Sequence, residues 1–467
     1  MRPPSFSLAQ YKRETACPPA PPLSLAYLSA VLKKDYHDVK ASDTFFKSMD
    51  EAASIIRKEK PDILGLTSST DHRASMFELA KSAREFNPGM KIVAGGPHVS
   101  VMHEQALGNY PVDIAVVGEG ESSFPRVAQA LEQNAPLDNI DGIVFKSSGG
   151  ITKTRTGSYI ENLDSIPFPD WSGFDFDSYP KDPLLDRFAK TDKFLKGLNP
   201  AYIVASRGCP FNCNFCTVSS VWSTKWRSRS AANIAGEIEM LAGKYGRKYL
   251  RFVDDTFTMN PQKTIELCKE IIKRNIHIYW DCTTRVNLVS EELLGFMKKA
   301  GCYLIQYGVE SGSVEVLEKA HKGISKEQVI KAFGLTRQAG IKTNAFLMAG
   351  NPGDSEKTFS ETKELLKVIC PDSVQAASTI VFPGTALYEY CKKQGFIDDG
   401  YWLSSRPAPF CTLERSFSEL QKWVNELSFP YMTLKERIFY ILSLLRDAAA
   451  TITGIHVSTR GISRYRS

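Results

Sequence analysis

Three cysteines lie close together in the segment Cys209-Pro-Phe-Asn-Cys213-Asn-Phe-Cys216. The spacing C-x3-C-x2-C places three thiolates on one short loop, and no fourth ligand follows them. A structural zinc site takes four ligands, and the nearest histidine downstream is His277. A [4Fe–4S] cluster normally takes four thiolates, so three would leave one iron open to bind a substrate. A zinc knuckle and unligated buried cysteines are the alternative interpretations.

This spacing resembles the cysteine motif of the radical S-adenosylmethionine (SAM) superfamily, which often has an aromatic residue before the last cysteine, here Phe215. The resemblance implies that Cys209, Cys213 and Cys216 hold the cluster. In that family the open iron chelates the methionyl amine and carboxylate of SAM. An electron from the cluster then cleaves SAM to a 5′-deoxyadenosyl radical. The implied electron donor is a low-potential protein such as flavodoxin or ferredoxin.

The chain around this loop alternates short apolar runs with longer helical patterns, which is typical of βα units. Two of the helical patterns are AANIAGEIEMLAGKYG and PQKTIELCKEIIKRN, with apolar residues at i, i+3, i+4 and i+7. Six units predict a (β/α)6 partial TIM barrel over 199–395. The predicted strands are Ala201–Ser206, Tyr249–Asp254, Ile278–Thr283, Tyr303–Gly308, Lys342–Ala349 and Ser373–Val381.

Chemistry in such barrels gathers at the C-terminal ends of the strands. The residues at those ends include Asp254 and Asp255 after the second strand, Arg285 after the third, Glu310 and Ser311 after the fourth, and Gly350 and Asn351 after the fifth. By the resemblance, Glu310 would accept from the SAM ribose diol, and the glycine turn 350–353 would let the backbone approach adenine. Asp254, Asp255 and Arg285 are candidates for the sulfonium and methionyl groups. Capping of the next helix is the alternative role for such polar residues.

Residues 1–145 show a second βα series that predicts a flavodoxin-like, doubly wound domain. The predicted strands are Val39–Ser42, Ile63–Thr67, Lys91–Ala94 and Asp113–Val117, with helical patterns such as SLAYLSAVLKK and RASMFELAKSAREFN between them. Ligands of such sheets bind outside the carboxyl ends of the strands. Each of the last three strands is followed there by a polar or glycine-rich turn.

The segments PPLSLAYLSAVLKK, PDILGLTSST, GGPHVS and GEGES resemble the cobalamin-binding domain that is fused to many radical SAM enzymes. The resemblance implies that cobalamin is lined by three turns, which contain Thr67, Ser68 and Ser69, then Gly95 and Gly96, then Gly118, Glu119 and Gly120. The chain has no D-x-H-x-x-G segment for a histidine ligand to cobalt, and we interpret His98 as a loop residue. A flavodoxin-like domain that only contacts proteins is the alternative.

The start of the chain departs from this family, which normally opens with an apolar strand and an N-P-P-like turn. Here the sequence begins Met1-Arg2-Pro3-Pro4. Because the first strand is central in a 2-1-3-4-5 sheet, we expect the two neighbouring strands to have unpaired edges. The pattern favours an internal start codon or a truncated gene, and it weighs against cobalamin binding by the chain as written.

Residues 146–198 contain ENLDSIPFPDWSGFDF and predict a linker that packs against both domains. Residues 396–467 predict a small helical region, in which LKERIFYILSLLRDAAATI is amphipathic and basic. Such a helix either closes the open side of the barrel or lies on a membrane surface. The first interpretation is favoured, and the second would suit peripheral membrane contact and a lipid substrate.

Composition excludes several other classes. The 467 residues carry 58 basic and 52 acidic side chains, a net charge of +6 that is too balanced to indicate nucleic-acid binding. The seven cysteines outside the motif are scattered, which is typical of a reducing cytosol rather than a disulfide framework. We find neither a signal peptide nor an apolar stretch of transmembrane length, so the predicted location is cytoplasmic.

We interpret the chain as a cobalamin-dependent radical SAM enzyme that methylates an unactivated carbon of a small molecule or lipid. The resemblance implies that methylcobalamin supplies the methyl group and that the deoxyadenosyl radical abstracts the hydrogen atom. One alternative keeps the cofactors but performs oxidative cyclisation or ring rearrangement. Another is a non-catalytic cobalamin or flavodoxin-like sensor. A tRNA methylthiotransferase is disfavoured, because the sequence shows neither a second cysteine triad nor a basic RNA-binding domain.

Overall fold

A computed structural model describes residues 1–3, 20–35, 37–406, 409, 415–432 and 437. Within these residues the chain forms two α/β units, each built on its own sheet, and a helical segment that follows the second unit. The mixed α/β fold with parallel sheets confirms the predicted fold class. Every helix in this part of the chain is too short or too polar to cross a bilayer.

The N-terminal sheet has the strand order β1-β2-β3-β4-β5. Its strands are β1 (Ile63–Thr67), β2 (Lys91–Gly95), β3 (Ile114–Val116), β4 (Ile143–Ser147) and β5 (Gly150–Lys153). The first three are parallel and the last two are antiparallel additions. The β4–β5 hairpin carries this sheet to Lys153, beyond the predicted domain boundary at 145.

Helices cover both faces of this sheet. They are α1 (Leu23–Lys34), α2 (Met49–Glu59), α3 (Arg73–Phe86), α4 (Pro97–Asn109) and α5 (Gly120–Glu132). The predicted helical patterns at 24–34 and 73–87 are therefore confirmed. Helix α2 begins with a capping box, in which the Ser48 side chain accepts from the backbone of Glu51 and the Glu51 side chain accepts from the backbone of Ser48.

The predicted strand Val39–Ser42 is wrong, because the described residues 37–43 form only an isolated parallel bridge between Arg2 and Asp43. The backbone N–H of Arg2 donates to the carbonyl of Ser42, and the backbone N–H of Thr67 in β1 donates to the carbonyl of Met1. The first two residues thus lie between β1 and the segment that ends at Asp43. Two residues give too short a pairing for segment 39–42 to become a regular strand.

The second sheet has six parallel strands in the order β13-β12-β11-β10-β9-β6, which confirms the predicted partial barrel. Its strands are β6 (Ala201–Ile203), β9 (Tyr249–Phe252), β10 (Tyr279–Thr284), β11 (Cys302–Glu310), β12 (Lys342–Ala349) and β13 (Ser373–Ser378). All nine residues of β11 are buried, as expected for a central strand covered on both faces. A short antiparallel pair, β7 (Ser206–Arg207) and β8 (Arg227–Ser228), brackets the cysteine loop.

Helices surround this second sheet. They are α6 (Pro183–Phe188), α7 (Val218–Trp222), α8 (Ala231–Gly243), α9 (Pro261–Lys273), α10 (Glu291–Lys299), α11 (Val314–Lys319), α12 (Lys326–Gln338), α13 (Glu356–Ile369), α14 (Ala386–Lys393) and α15 (Phe417–Ser428). Helix α15 covers β12 and β13, with the Trp423 ring stacked on Phe359 at 4.6 Å between centroids. The amphipathic segment at 434–452 lies outside the described residues, Arg437 excepted.

The segment between the sheets contacts both units, as predicted for the linker. Leu163 and Ile166 pack with Tyr27 and Val31 of α1. On the other side, the Asp164 carboxylate accepts from the backbone N–H of Ser230, immediately before α8. The linker therefore joins the two units through packing as well as through the chain.

Candidate active site

The cysteine loop runs from β7 to β8 and carries Cys209, Cys213 and Cys216 on partly exposed positions. Cys209 donates its backbone N–H to Ser223, and Cys216 donates its own to Cys213, so the loop is folded back on itself. Gly208 has a φ of +85°, and a Cβ there would lie 2.3 Å from the carbonyl oxygen of Lys225. Only glycine can adopt this backbone conformation at the start of the loop and approach Lys225, near the end of the loop, so closely.

Burial raises the pKa of the Cys216 thiol to about 11, and the nearby Cys213 and Asp255 add to the rise. An unligated Cys216 is therefore a neutral thiol, and iron would be needed to favour its thiolate. No three His, Cys, Asp or Glu side chains in the described ranges converge closely enough to hold a single metal ion. A four-iron cluster fits three cysteines that do not converge, because each thiolate binds a different iron.

Arg285 lies against the cysteine loop rather than standing free for a ligand. Its guanidinium donates to Cys213 Sγ at 3.6 Å and stacks on the Phe211 ring at 3.7 Å from the centroid. The same side chain donates to the carbonyl of Lys322. Arg285 thus contacts a predicted cluster ligand, Cys213, directly. A contact between Arg285 and SAM would have to lie beyond the cysteine loop.

Asp254 and Asp255, which follow β9, have different surroundings. The Asp254 carboxylate accepts from the backbone N–H of Ala205 at 3.0 Å and from the hydroxyl of Ser206 at 2.5 Å. It therefore fixes the approach to the cysteine loop. Asp255 faces the interdomain cavity, whose walls remove part of the hydration of its carboxylate although water still reaches it. Burial raises the pKa of both to about 6, and the charge of Asp254 adds to the rise at Asp255.

Glu310 ends β11 in a left-handed backbone conformation, with φ of +64°. Its carboxylate accepts from Lys322 Nζ at 2.7 Å, and both side chains are less than a tenth exposed. A buried carboxylate held by one cation still has free lone pairs. Glu310 can therefore accept from another donor, such as a ribose hydroxyl.

The end of β12 holds the buried side-chain amide of Asn351. Asp354 accepts from the backbone N–H groups of Gly350 and Asn351 at 2.7 and 2.9 Å, which fixes the turn. Burial raises the pKa of Asp354 to about 6. Both polar atoms of the Asn351 side chain are buried and have no hydrogen-bond partner among the residues that the structure describes. An amide that lacks its donor and acceptor partners suits the edge of a base such as adenine.

Two further residues of the predicted cofactor site, Ser311 and Phe215, make contacts within the protein. Ser311 is buried, lies within hydrogen-bond distance of the Thr362 hydroxyl, and accepts from the backbone N–H of Ser313. Phe215 packs against an apolar cluster that includes Val381 and Trp402.

A cavity of about 1090 Å³ opens between the N-terminal domain and the barrel. The N-terminal domain contributes the predicted residues Thr67, Gly95, Gly96, Gly118 and Gly120 to the lining of the cavity, and the barrel contributes Arg207, Trp222 and Asp255. The cavity continues between helices α1 and α5 and along the side of β1 that faces Met1. It is large enough for a bulky cofactor, which would then face the barrel rim.

Gly96 shapes this cavity. Its φ is +94°, and a Cβ would lie 2.7 Å from the Thr67 hydroxyl and 2.8 Å from the carbonyl oxygen of Ser68. The turn after β2 therefore packs tightly on the turn after β1, and the two turns together form a cradle on this side of the cavity. This cradle fits the flat, bulky group that the sequence predicts at these turns.

Three predicted cobalamin residues do not line the cavity. The Ser68 hydroxyl donates to the carbonyl of Ser69, and the Ser69 hydroxyl meets His72 Nδ1 at 2.9 Å. The Glu119 carboxylate binds Arg207 and Arg227. His98 lies buried in the first turn of α4 rather than in a loop, and burial lowers its pKa to about 3.

Sequence reasoning missed the two arginines that flank the cysteine loop and Lys322, the partner of Glu310. Arg207 is buried between the rings of Tyr27 and Trp222, at 5.5 and 5.0 Å. Burial alone would lower its pKa, but Glu121 and Glu119 together raise it above its ordinary value. The only signal in the sequence for Arg207 was its position two residues before Cys209, and Arg227, well beyond Cys216, had none.

Comparisons with known proteins agree with this architecture. The family model described as Radical SAM superfamily matches residues 203–366, and that of the B12 binding domain matches residues 14–128. The uncharacterized methyltransferase PH0819 of Pyrococcus horikoshii is 32% identical over 373 residues, which cover 79% of this chain and 78% of that protein. The anaerobic magnesium-protoporphyrin IX monomethyl ester cyclase of Rubrivivax gelatinosus is 30% identical over 447 residues, or 91% of this chain and 78% of the cyclase.

A solved structure has a similar fold over most of the chain. The radical SAM methyltransferase TsrM from Kitasatospora setae, with tryptophan and a SAM analogue bound, has a TM-score of 0.69 at 19% identity. The match covers 80% of this chain and 74% of that one. The two family models and the relatives at 32% and 30% identity show that the chain belongs to the radical SAM superfamily, among the members with a B12 binding domain, and that it is an enzyme. A [4Fe–4S] cluster, SAM and cobalamin are the cofactors of that group, as predicted from the sequence.

Proposed function

We propose that this chain is a methyltransferase that uses a cluster-bound SAM and a corrinoid to methylate an unactivated carbon. The observation that carries this proposal is the interdomain cavity. One wall holds the glycine cradle of the N-terminal domain, and the opposite wall holds Arg207, Trp222 and Asp255 beside the cysteine loop. When bound, the cluster with SAM would supply a carbon-centred radical and the corrinoid would supply a methyl group.

The residues of the chain would bind, orient and shield these groups. Cys209, Cys213 and Cys216 would hold three irons, with the fourth left for SAM. Glu310 would accept from the ribose, while the unpartnered Asn351 amide would pair with the adenine edge. The cavity walls would exclude water from a radical that reacts with any nearby C–H bond.

We further propose that the substrate is a small molecule or lipid and that a flavodoxin or ferredoxin delivers the electron. The size of the interdomain cavity supports a bulky cofactor together with a compact substrate. The low net charge supports a partner other than nucleic acid.

A cyclase that uses the same cofactors is the second candidate. It is supported by the Rubrivivax gelatinosus enzyme, whose similarity extends over 91% of this chain. A cyclase would oxidise its substrate without transferring a methyl group, so its products from SAM would differ. The two candidates are therefore distinguishable without knowledge of the substrate.

The test begins with protein purified without oxygen from cells given cobalamin. We expect about four irons and one corrinoid per chain. With a low-potential reductant and SAM, we expect S-adenosylhomocysteine in amounts that depend on the corrinoid, together with 5′-deoxyadenosine. The matched control replaces the three cysteines by alanine, which should abolish deoxyadenosine formation. Deoxyadenosine without S-adenosylhomocysteine would favour the cyclase, and four irons without corrinoid would overturn both candidates.

A further inference from the structure

Glu119 belongs to the N-terminal domain, yet its carboxylate binds both arginines at the base of the cysteine loop. One oxygen accepts from Arg207 at 3.0 Å, and the other accepts from Arg227 at 2.9 Å. The second oxygen also accepts from the backbone N–H of Ile160 in the linker, at 2.7 Å. A single side chain therefore joins the N-terminal domain, the linker and both ends of the cysteine loop.

This cluster of charges is shielded from water. The side chains of Glu119, Arg207 and Arg227 are 1%, 5% and 2% exposed. Buried charges are tolerated only when their partners are well placed. Arg207 has a second carboxylate partner, Glu121, at 2.6 Å. The geometry of the four charged groups is consequently fixed, and so is the spacing of the two strands that carry the arginines.

The position of the arginines along the chain makes this spacing important. Arg207 lies on β7, two residues before Cys209, and Arg227 lies opposite it on β8. The Trp222 carbonyl within the loop also accepts from Arg227, at 3.2 Å. A shift of Glu119 would therefore move β7 and β8, the two strands that hold the ends of the loop with the three cysteines.

Glu119 is also flanked by the residues that line the interdomain cavity. Gly118 and Gly120 on either side contribute to that lining. The turn that would contact the corrinoid is hence the same turn that holds the cysteine loop. This arrangement gives the N-terminal domain a direct physical connection to the proposed cluster.

We propose that Glu119 is a positioning residue that sets the geometry of the iron–sulfur loop from the neighbouring domain. This inference rests on the proposed cluster at Cys209, Cys213 and Cys216. It differs from the role suggested by the sequence, because the Glu119 carboxylate binds Arg207 and Arg227 and lies outside the lining of the cavity.

The test compares the full-length wild type with E119Q and E161Q, each purified without oxygen and reconstituted with iron and sulfide. Glu161 is the matched control, because it pairs with Lys225 across the same linker and loop while both side chains are 65% exposed. The measurements are iron per chain, the electron paramagnetic resonance (EPR) spectrum of the reduced cluster with and without SAM, corrinoid content, and thermal unfolding.

In E119Q we expect the iron content to fall about twofold or more, and the spectrum of the remaining cluster to change its response to SAM. E161Q should match the wild type, and E119D should restore part of the signal because it keeps the charge. A full iron content with a wild-type spectrum in E119Q would overturn the inference. So would a lower unfolding temperature with no change in the spectrum.

If E119Q does not fold, R207K decides the question, because it keeps the charge but loses one of its two carboxylate contacts. An altered spectrum in R207K supports the inference, and an unaltered one overturns it. Failure of the proposed function gives a different result, since the wild type itself would then take up no cluster or no corrinoid.

Discussion

The guanidinium of Arg285 donates to the Sγ of Cys213 at 3.6 Å. Arg285 also stacks on Phe211, so one cation holds two residues of the cysteine loop. Hydrogen bonds and positive charge near a ligand sulfur stabilise the reduced form of an iron–sulfur cluster, because that form carries more negative charge. Arg285 is therefore placed to raise the reduction potential of the cluster.

Replacement of Arg285 by Met should lower the midpoint potential of the cluster. We expect a shift of roughly 60 mV, the one-electron equivalent of about 1.4 kcal/mol for a hydrogen bond to a charged group. A redox titration followed by EPR measures it. The control is R274M, which removes an arginine at the end of α9 from pairs with Glu270 and Glu239. Equal potentials in the two variants would contradict the assignment.

The Glu310 carboxylate should be needed for SAM affinity. In E310Q the neutral amide is a weaker acceptor for a hydroxyl, so we expect the Kd for SAM to rise about tenfold. Calorimetry under nitrogen on the cluster-loaded protein measures this affinity. E315Q is the control, since Glu315 pairs with Lys319 on the exposed face of α11. An unchanged Kd for SAM in E310Q would contradict this role and would leave the ion pair with Lys322 as the function of the Glu310 carboxylate.

The barrel and the cysteine motif could be predicted because both are local in sequence. Apolar runs such as β11 are buried along their whole length, and the period of α9 places its apolar residues on one face. The partners of the predicted residues were not local. Lys322 reaches Glu310 only after α11 turns the chain back, and no spacing in the sequence shows that approach.

In the N-terminal domain the sequence predicted the turns correctly but not the direction of every side chain on them. Its glycine turns were assigned from the sequence, and Gly95, Gly96, Gly118 and Gly120 do line the cavity. The neighbouring Glu119 was assigned with them, although it points to the other domain. Sequence places a residue on a turn, but which side of the turn it faces depends on the tertiary contact, here with Arg207 and Arg227.

A side chain at Gly96 should reduce corrinoid binding. In G96A the Cβ would collide with Thr67 and Ser68, and alanine is strained at φ of +94°, at a cost of about 1–2 kcal/mol. We expect less corrinoid per chain with an unchanged iron content. G108A is the matched control, because Gly108 lies in α4 with open space around its Cβ position. Corrinoid absorbance and an iron assay measure the corrinoid and the iron per chain in each variant. Equal corrinoid content in the two variants would contradict the proposed role of Gly96.

Asp255 should make the stability of the chain depend on pH in the acidic range. Its pKa is raised from 3.8 to about 6, chiefly because the cavity walls remove part of the hydration of the carboxylate and further by the charge of Asp254. Between those two values the folded chain binds a proton that the unfolded chain releases, so the wild type loses stability as pH rises through this window. Above about pH 6 the folded chain holds an ionised carboxylate in an unfavourable place. D255N has no such charge and should lose this dependence.

We therefore expect the free energy of unfolding of D255N to exceed that of the wild type by about 1 kcal/mol at pH 8, a small gain because solvent screens this exposed carboxylate. The difference should shrink toward zero as pH falls below about 5. Guanidinium unfolding at pH 5, 6, 7 and 8 measures it. D138N is the control, since Asp138 is exposed and lies outside the lining of the cavity. A difference that stays constant with pH, or that grows toward pH 5, would mean that Asp255 keeps an ordinary carboxyl pKa in the folded chain.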